Sequence, residues 1–241
     1  MKLSIIIPVF NEEKTIEKVL DRLGKVAFGD TSVEVIIVND GSTDDTELRI
    51  KNYELRIRKK DTFKKISYLQ NKGKGFAVKT GLEKATGDYV IIQDADLEYD
   101  PNFIPELIEQ LVKNKADVVY GTRLKRLPHL SKEEKTPQFF IHYIGNRFLS
   151  FLTSLLYGQW ITDMETGYKL FPADAAKEMR LCAKRFDFEP EITAKLLKKG
   201  LRILEIPIST TPRGYDEGKK LHTVRDGIKA LWTLLKCRFT D

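Results

Sequence analysis

Cysteine is scarce: the 241-residue chain has two, Cys182 and Cys237. Their spacing suits neither a metal-ligand set nor a disulfide framework, so they read as free thiols of a reducing compartment. Long apolar runs are missing too. The nearest, Phe139 to Ile161, is broken by His142, Asn146 and Arg147, short of the roughly eighteen apolar residues that mark a membrane span. The apolar stretch at the start, Leu3 to Phe10, is followed by acids where a signal peptide would carry small residues. Internal repeats and low-complexity tracts are absent, which excludes solenoids and collagen-like chains. Neither a Walker loop nor a dinucleotide fingerprint after the first strand is found. The expectation is a cytoplasmic protein, at most peripheral on the cytoplasmic face of a membrane.

What is present is a regular alternation. "LSIIIPV", "VEVIIVND", "KKISYL", "DYVIIQD" and "ADVVYGTR" are strand-like runs separated by helical patterns. Runs apolar throughout predict an α/β fold with a mostly parallel central sheet and helices on both faces. Past about Arg123 the alternation stops. A polar, basic loop "LKRLPHLSKEEKTP" leads to an aromatic-rich helix, a short strand "GYKLFP", a helix "FEPEITAKLLKKG", a strand "LRILEIPI" and a closing helix. The length suits one domain over 1–241, a nucleotide-binding half (1–123) followed by an acceptor-binding half (124–241). The net charge of +6 favours anionic partners without choosing among them. No nucleic-acid-binding module accompanies it.

In a parallel sheet, ligands bind beyond the carboxyl ends of the strands. Three polar clusters fall there. Asp94-Ala95-Asp96 follows the fourth strand, and two carboxylates at i and i+2 can share a hard cation, Mg²⁺ or Mn²⁺, with Glu98 as a third oxygen. Asp100, directly before Pro101, suits the helix cap instead, which leaves the aspartate pair without a structural task. "NKGKGFAVKTGL" places Gly73 before a helix, where backbone N–H groups can approach a phosphate and Lys72 or Lys74 can add charge. A loop that merely turns the chain is the competing explanation. "VNDGSTDDT" offers Asp40 to a base or ribose, with Ser42 or Thr43 as the helix N-cap. "PVFNEE" puts Pro8, Phe10, Asn11 and Glu12 at the end of the first strand, as nucleoside contacts or as a structural turn.

In this order, "SIIIPVFNEE", "VIIVNDGSTDDT", "NKGKGFAVKTGL" and "GDYVIIQDADLEYDP" resemble the family 2 glycosyltransferases of GT-A fold. "GTR", "DMETGYKLF" and "PRGYDEGKKL" extend the likeness toward the dolichyl- or polyprenyl-phosphate mannose and glucose synthases. The resemblance implies that Pro8, Phe10, Asn11, Glu12 and Asp40 hold the nucleoside. It implies that Asp94 and Asp96 bind metal and diphosphate, and that Glu98 stands where some relatives have a Gln ligand. Arg123 and Arg213 match basic positions associated with acceptor and donor phosphates, with Lys219 nearby. Asn39 departs from the pattern, since many relatives have Asp before "DGS".

The expected reaction is metal-dependent, inverting transfer of a hexose from GDP-mannose or UDP-glucose to a polyprenyl or dolichyl phosphate. The cation offsets charge on the departing diphosphate, with Asp96, Arg123 and Arg213 as the catalytic set. A lipid phosphate is already anionic and needs positioning, by Arg123 and Arg147, rather than a base. A saccharide hydroxyl would need one, and Asp163 or Glu165 could serve. A non-catalytic nucleotide-sugar-binding subunit is the further alternative. A membrane-protein partner subunit is compatible with either. For membrane contact, the closing helix carries Val224, Ile228, Leu231, Leu235 and Phe239 beside Arg225, Lys229, Lys236 and Arg238. The segment from Phe139 to Tyr157 is a second candidate, and packing on the core is the alternative for both.

Overall fold

The computed structural model describes residues 1–57, 62–113, 116–124, 137–211 and 223–240. Seven strands form one sheet: β1 (Lys2–Val9), β2 (Ser32–Asp40), β3 (Phe63–Tyr68), β4 (Tyr89–Ile92), β5 (Val118–Thr122), β6 (Lys169–Pro172) and β7 (Ile203–Pro207). Their order is β3-β2-β1-β4-β6-β5-β7. Only β6 runs antiparallel to its neighbours, β4 and β5. Among the described residues eight α-helices accompany them: α1 (Ile16–Leu23), α2 (Thr46–Arg56), α3 (Lys74–Lys84), α4 (Ile104–Lys113), α5 (Pro137–Tyr157), α6 (Ala173–Glu178), α7 (Phe188–Lys198) and α8 (Thr223–Phe239).

The apolar runs are continuous because the sheet is covered twice, and the two-residue period of a strand divides each run between two cores. Leu3, Ile5 and Ile7 of β1 join α1, α2 and α4 through Ile16, Leu20, Ile50 and Leu107. Ile6, between them, joins Ala77 and Val78 of α3, Leu149 of α5, Ile192 of α7 and Leu234 of α8. Burying each such side chain is worth about 1.5–3 kcal/mol, so a one-residue slip of β1 would be costly.

From β1 the chain moves outward to β2 and β3, then returns to the other side for β4. That reversal makes the carboxyl ends of β1 and β4 the topological switch point, where a crevice opens. The expected cap Asp100 does accept from Asn102 N–H at 3.0 Å, ahead of Pro101. The cap expected of Ser42 or Thr43 is corrected: α2 begins at Thr46, whose N–H is held by Asp44. Ser42 and Thr43 instead bind the backbone and side chain of Asn11.

The closing helix packs on the core along one side. Ala230, Leu234 and Cys237 face the core with Leu231 packed against them. Ile228, Trp232 and Phe239 point outward. The helix therefore has an apolar face on each side. Among the described residues no helix is long and apolar enough to cross a membrane.

Candidate active site

A cavity of about 310 Å³ lies at the switch point. Pro8, Phe10 and Glu12 from the end of β1 line one part of it, Asp94, Ala95, Asp96 and Glu98 another. Asp40, Gly73 and Lys74 reach it from the β2 and β3 sides, Arg123 and Glu165 from the second half of the chain. The sequence-predicted residues thus converge, with exceptions. Asn11 is not in the wall. It holds the loop after β2, accepting from Thr43 N–H at 2.8 Å while its own N–H goes to Ser42. Arg147 is exposed on α5 and also outside the wall, its guanidinium 3.5 Å from the Leu124 carbonyl. Arg213 and Lys219 lie outside the described residues.

The glycine loop does not stand open as a phosphate cradle. Asp40 accepts from the N–H groups of Lys72 and Gly73 at 2.9 and 2.7 Å, so its carboxylate fixes the loop while lining the cavity. Phe76 N–H, in the first turn of α3, bonds the Lys184 carbonyl. Gly73 has φ +104, and a Cβ there would come 2.2 Å from that same carbonyl. Glycine is therefore required by close packing on the 183–185 segment as well as by backbone conformation.

Lys74 is committed as well. Its ammonium lies 2.8 Å from Asp94 and 2.9 Å from Glu189, at the start of α7. These two carboxylates hold its charge in place although the amine is buried. Among the described residues Asp96 has no such partner. Burial, with the charges of Asp94 and Glu98 added, pushes its carboxyl up to about 7. The donors fit a hard divalent ion: two carboxylates at i and i+2 on a cavity wall, one of them raised by uncompensated negative charge. A Cβ on Gly167 would sit 2.6 Å from Asp94 Oδ2, so glycine is what lets this turn approach that carboxylate. Glu98 lines the same wall, and its N–H binds Asp96 at 3.1 Å. Among the described residues no three His, Cys, Asp or Glu side chains are already gathered into a metal-holding group.

Arg123 and Asp163 form a finished unit. Asp163 is fully buried and accepts from Arg123 Nε at 2.8 Å, Nη2 at 2.9 Å and N–H at 3.0 Å, and from Asn146 at 2.9 Å. Burial alone would raise its carboxyl, but the Arg123 charge and these bonds bring it below the usual range. Asp163 does not line the cavity, so the general-base role considered for it is not available; it orients Arg123. Glu165 does line the cavity, and burial raises its carboxyl to about 7. The turn between them is fixed from below by Lys169, fully buried, which donates to the Met164 and Thr166 carbonyls at 2.6 Å each.

Residues 4–180 match the profile of glycosyl transferase family 2. The chain belongs to that family. A UDP-N-acetylglucosamine–dolichyl-phosphate N-acetylglucosaminyltransferase of Methanococcus voltae is 31% identical over 96% of this chain and 94% of its own. A low-salt glycan biosynthesis hexosyltransferase of Haloferax volcanii is 30% identical over 88% of this chain and 48% of its own. The glucosyl-3-phosphoglycerate synthase of Mycobacterium tuberculosis has the same GT-A fold. It superposes with a TM-score of 0.74 at 22% identity, covering 100% of this chain and 82% of the other.

For a family 2 glycosyltransferase acting on a nucleotide sugar, the wall also contains residues that motif reading passed over. These are Tyr99, His142, Arg185 and Glu189. Glu189 is one of three alternating acids in "FDFEPEI", and nothing in that pattern sets it apart from Asp187 and Glu191. Tyr99, whose hydroxyl accepts from Gly167 N–H at 2.8 Å and whose ring stacks on Tyr168, gave no signal either.

Proposed function

We propose that the chain moves a hexose, with inversion, from a nucleoside diphosphate sugar to a polyprenyl phosphate, using Mg²⁺ or Mn²⁺. Helix α5 carries this reading. His142 on it lines the cavity, and Asn146 holds Asp163 behind Arg123. The opposite face of the same helix exposes Phe140, Ile141, Ile144, Phe148, Phe151 and Leu155. A helix that borders the site and turns an apolar, acid-free face outward suits an acceptor whose phosphate must reach the cavity while its isoprenoid stays in lipid. Helix α8 packs beside it, Tyr157 OH bonding the Leu234 carbonyl at 2.8 Å. It adds Trp232 and Phe239 with the exposed cations Lys236 and Arg238.

Asp94 and Asp96 would hold the ion. When bound, a divalent cation supplies charge stabilisation to the departing diphosphate. The chain's own residues do the rest. An acceptor phosphate oxygen forms the bond to the anomeric carbon as the bond to the diphosphate breaks, and no proton has to be removed. Arg123, whose guanidinium has five N–H donors of which two are committed to Asp163, would position that phosphate. A UDP sugar is the first donor to test. The Methanococcus relative is named for one, and the Mycobacterium structure includes a complex with Mn²⁺ and UDP. GDP-mannose is the second.

The test is transfer of radiolabelled sugar from UDP-glucose, UDP-N-acetylglucosamine or GDP-mannose to polyprenyl phosphate. Label that extracts into organic solvent only when lipid phosphate and divalent metal are present supports the reading. Label that stays in the aqueous phase on a soluble saccharide would favour the hydroxyl acceptor, with Glu165 as base.

A further inference from the structure

Among the described residues, Glu189 Oε2 is the one buried side-chain nitrogen or oxygen without a hydrogen-bond partner. The residue is 6% exposed and lines the cavity. Its other oxygen is held 2.9 Å from Lys74 Nζ, and that same nitrogen is 2.8 Å from Asp94. A buried carboxylate oxygen left without a donor is costly, and buried polar groups are otherwise almost always satisfied. Helix α7 nevertheless delivers one to the cavity wall, one ammonium group away from the D-x-D pair.

Resting on the donor reading above, we infer that Glu189 is a sugar-recognition residue whose free oxygen accepts a hydrogen bond from a hydroxyl of the transferred hexose. A diphosphate at Asp94 and Asp96 leaves its glycosyl group within the same cavity. A carboxylate wants a donor there, and a hexose presents several hydroxyls while a diphosphate presents none. Lys74 has a second part in this arrangement. By pairing with both acids it fixes the separation between the diphosphate end of the site and the sugar end, which makes it a positioning residue. A site built to accept from one hydroxyl rejects the analogue lacking it, because the buried acceptor is again left unpaired.

Calorimetric titration with Mg²⁺ and UDP, UDP-glucose, and UDP-glucose lacking each ring hydroxyl in turn tests this directly. One deoxy analogue is expected to bind wild-type protein about tenfold to a hundredfold more weakly than UDP-glucose. In Glu189→Gln, UDP should bind as before, UDP-glucose should lose a comparable factor, and the gap to that analogue should close. Deoxy analogues that all bind as well as the parent would overturn the inference, as would a gap that persists in the variant. If the variant does not fold, the wild-type series alone decides. Where UDP does not bind, GDP and the GDP-mannose series take its place; absence of binding to either nucleotide defeats the donor reading itself, and this inference with it.

Discussion

Two groups of charges face each other across the cavity, and they are built on opposite terms. Arg123 and Asp163 are closed: every bond of the carboxylate is to the protein, through three groups of one arginine and an asparagine amide. The acidic wall is open. Lys74 neutralises Asp94 and one oxygen of Glu189, while Asp96 stays raised toward neutrality and the second oxygen of Glu189 finds no donor among the described residues. Closed pairs belong to architecture, and incomplete ones mark where a ligand must finish the electrostatics. Mutations should therefore separate by type: losses on the closed side damage the fold along with the positioning of Arg123, and losses on the open side damage function alone.

The largest expected effect falls on the closed side. Asp163→Asn leaves the partly buried Arg123 guanidinium without its carboxylate and should cost up to about 3–5 kcal/mol in a denaturant melt; a shift well under 1 kcal/mol would show that the pair is not closed. On the open side, Asp96→Ala should leave the melt unchanged or raise it while lowering transfer about a hundredfold to a thousandfold. Equal losses of stability and turnover would erase the distinction.

Asn39 sharpens the comparison. Its side-chain N–H₂ donates to Glu47 at 2.7 Å while its oxygen accepts from Ser42 N–H at 3.1 Å. Lys65 and Ser67 complete the Glu47 carboxylate. The departure from the resembling family's usual Asp thus has a local reason, because an aspartate could not donate to Glu47. Asn39→Asp should cost about 1–3 kcal/mol, measured by thermal unfolding. Donor-base preference should stay put, because Asn39 does not line the cavity.

The strands were legible in the sequence because both faces of each are buried, so the apolar runs are unbroken. The switch-point acids were legible because nothing else accounts for charge at the end of such a run. What escaped notice were partners distant in sequence. Glycines before α3 look the same whether they cradle phosphate or pack on Lys184, and only the fold brings the 183–185 segment against them. Lys74 reads as a free cation until α7 delivers Glu189. The closing helix stayed ambiguous for a related reason: its apolar residues cover two faces, and a one-dimensional pattern does not say which meets the core.

Smaller effects follow from two further carboxylates. Glu34 is buried at the opposite end of the sheet. Burial would raise its pKa, but bonds from Lys64, Ser4 and Thr86 outweigh that and lower it from 4.5 to about 2. Its contribution is therefore complete above the unfolded value and is lost as pH falls from there through about 2. Glu34→Gln should flatten that acid limb by lowering stability above it, leaving the most acid end of the profile nearly unchanged. Glu165→Gln should change transfer to polyprenyl phosphate by no more than about twofold, since an anionic acceptor needs no base; a loss of about a hundredfold or more would assign the proton-abstracting role to Glu165.

The central claim is that Asp94 and Asp96 hold a divalent ion against the diphosphate of the donor. Titrating the nucleoside diphosphate into wild-type protein and Asp96→Asn, each with and without Mg²⁺ or Mn²⁺, measures it most directly. The account predicts binding that strengthens sharply with metal in the wild type and gains little or nothing from it in the variant. Equal affinity with and without metal, or full metal dependence surviving in Asp96→Asn, would contradict it.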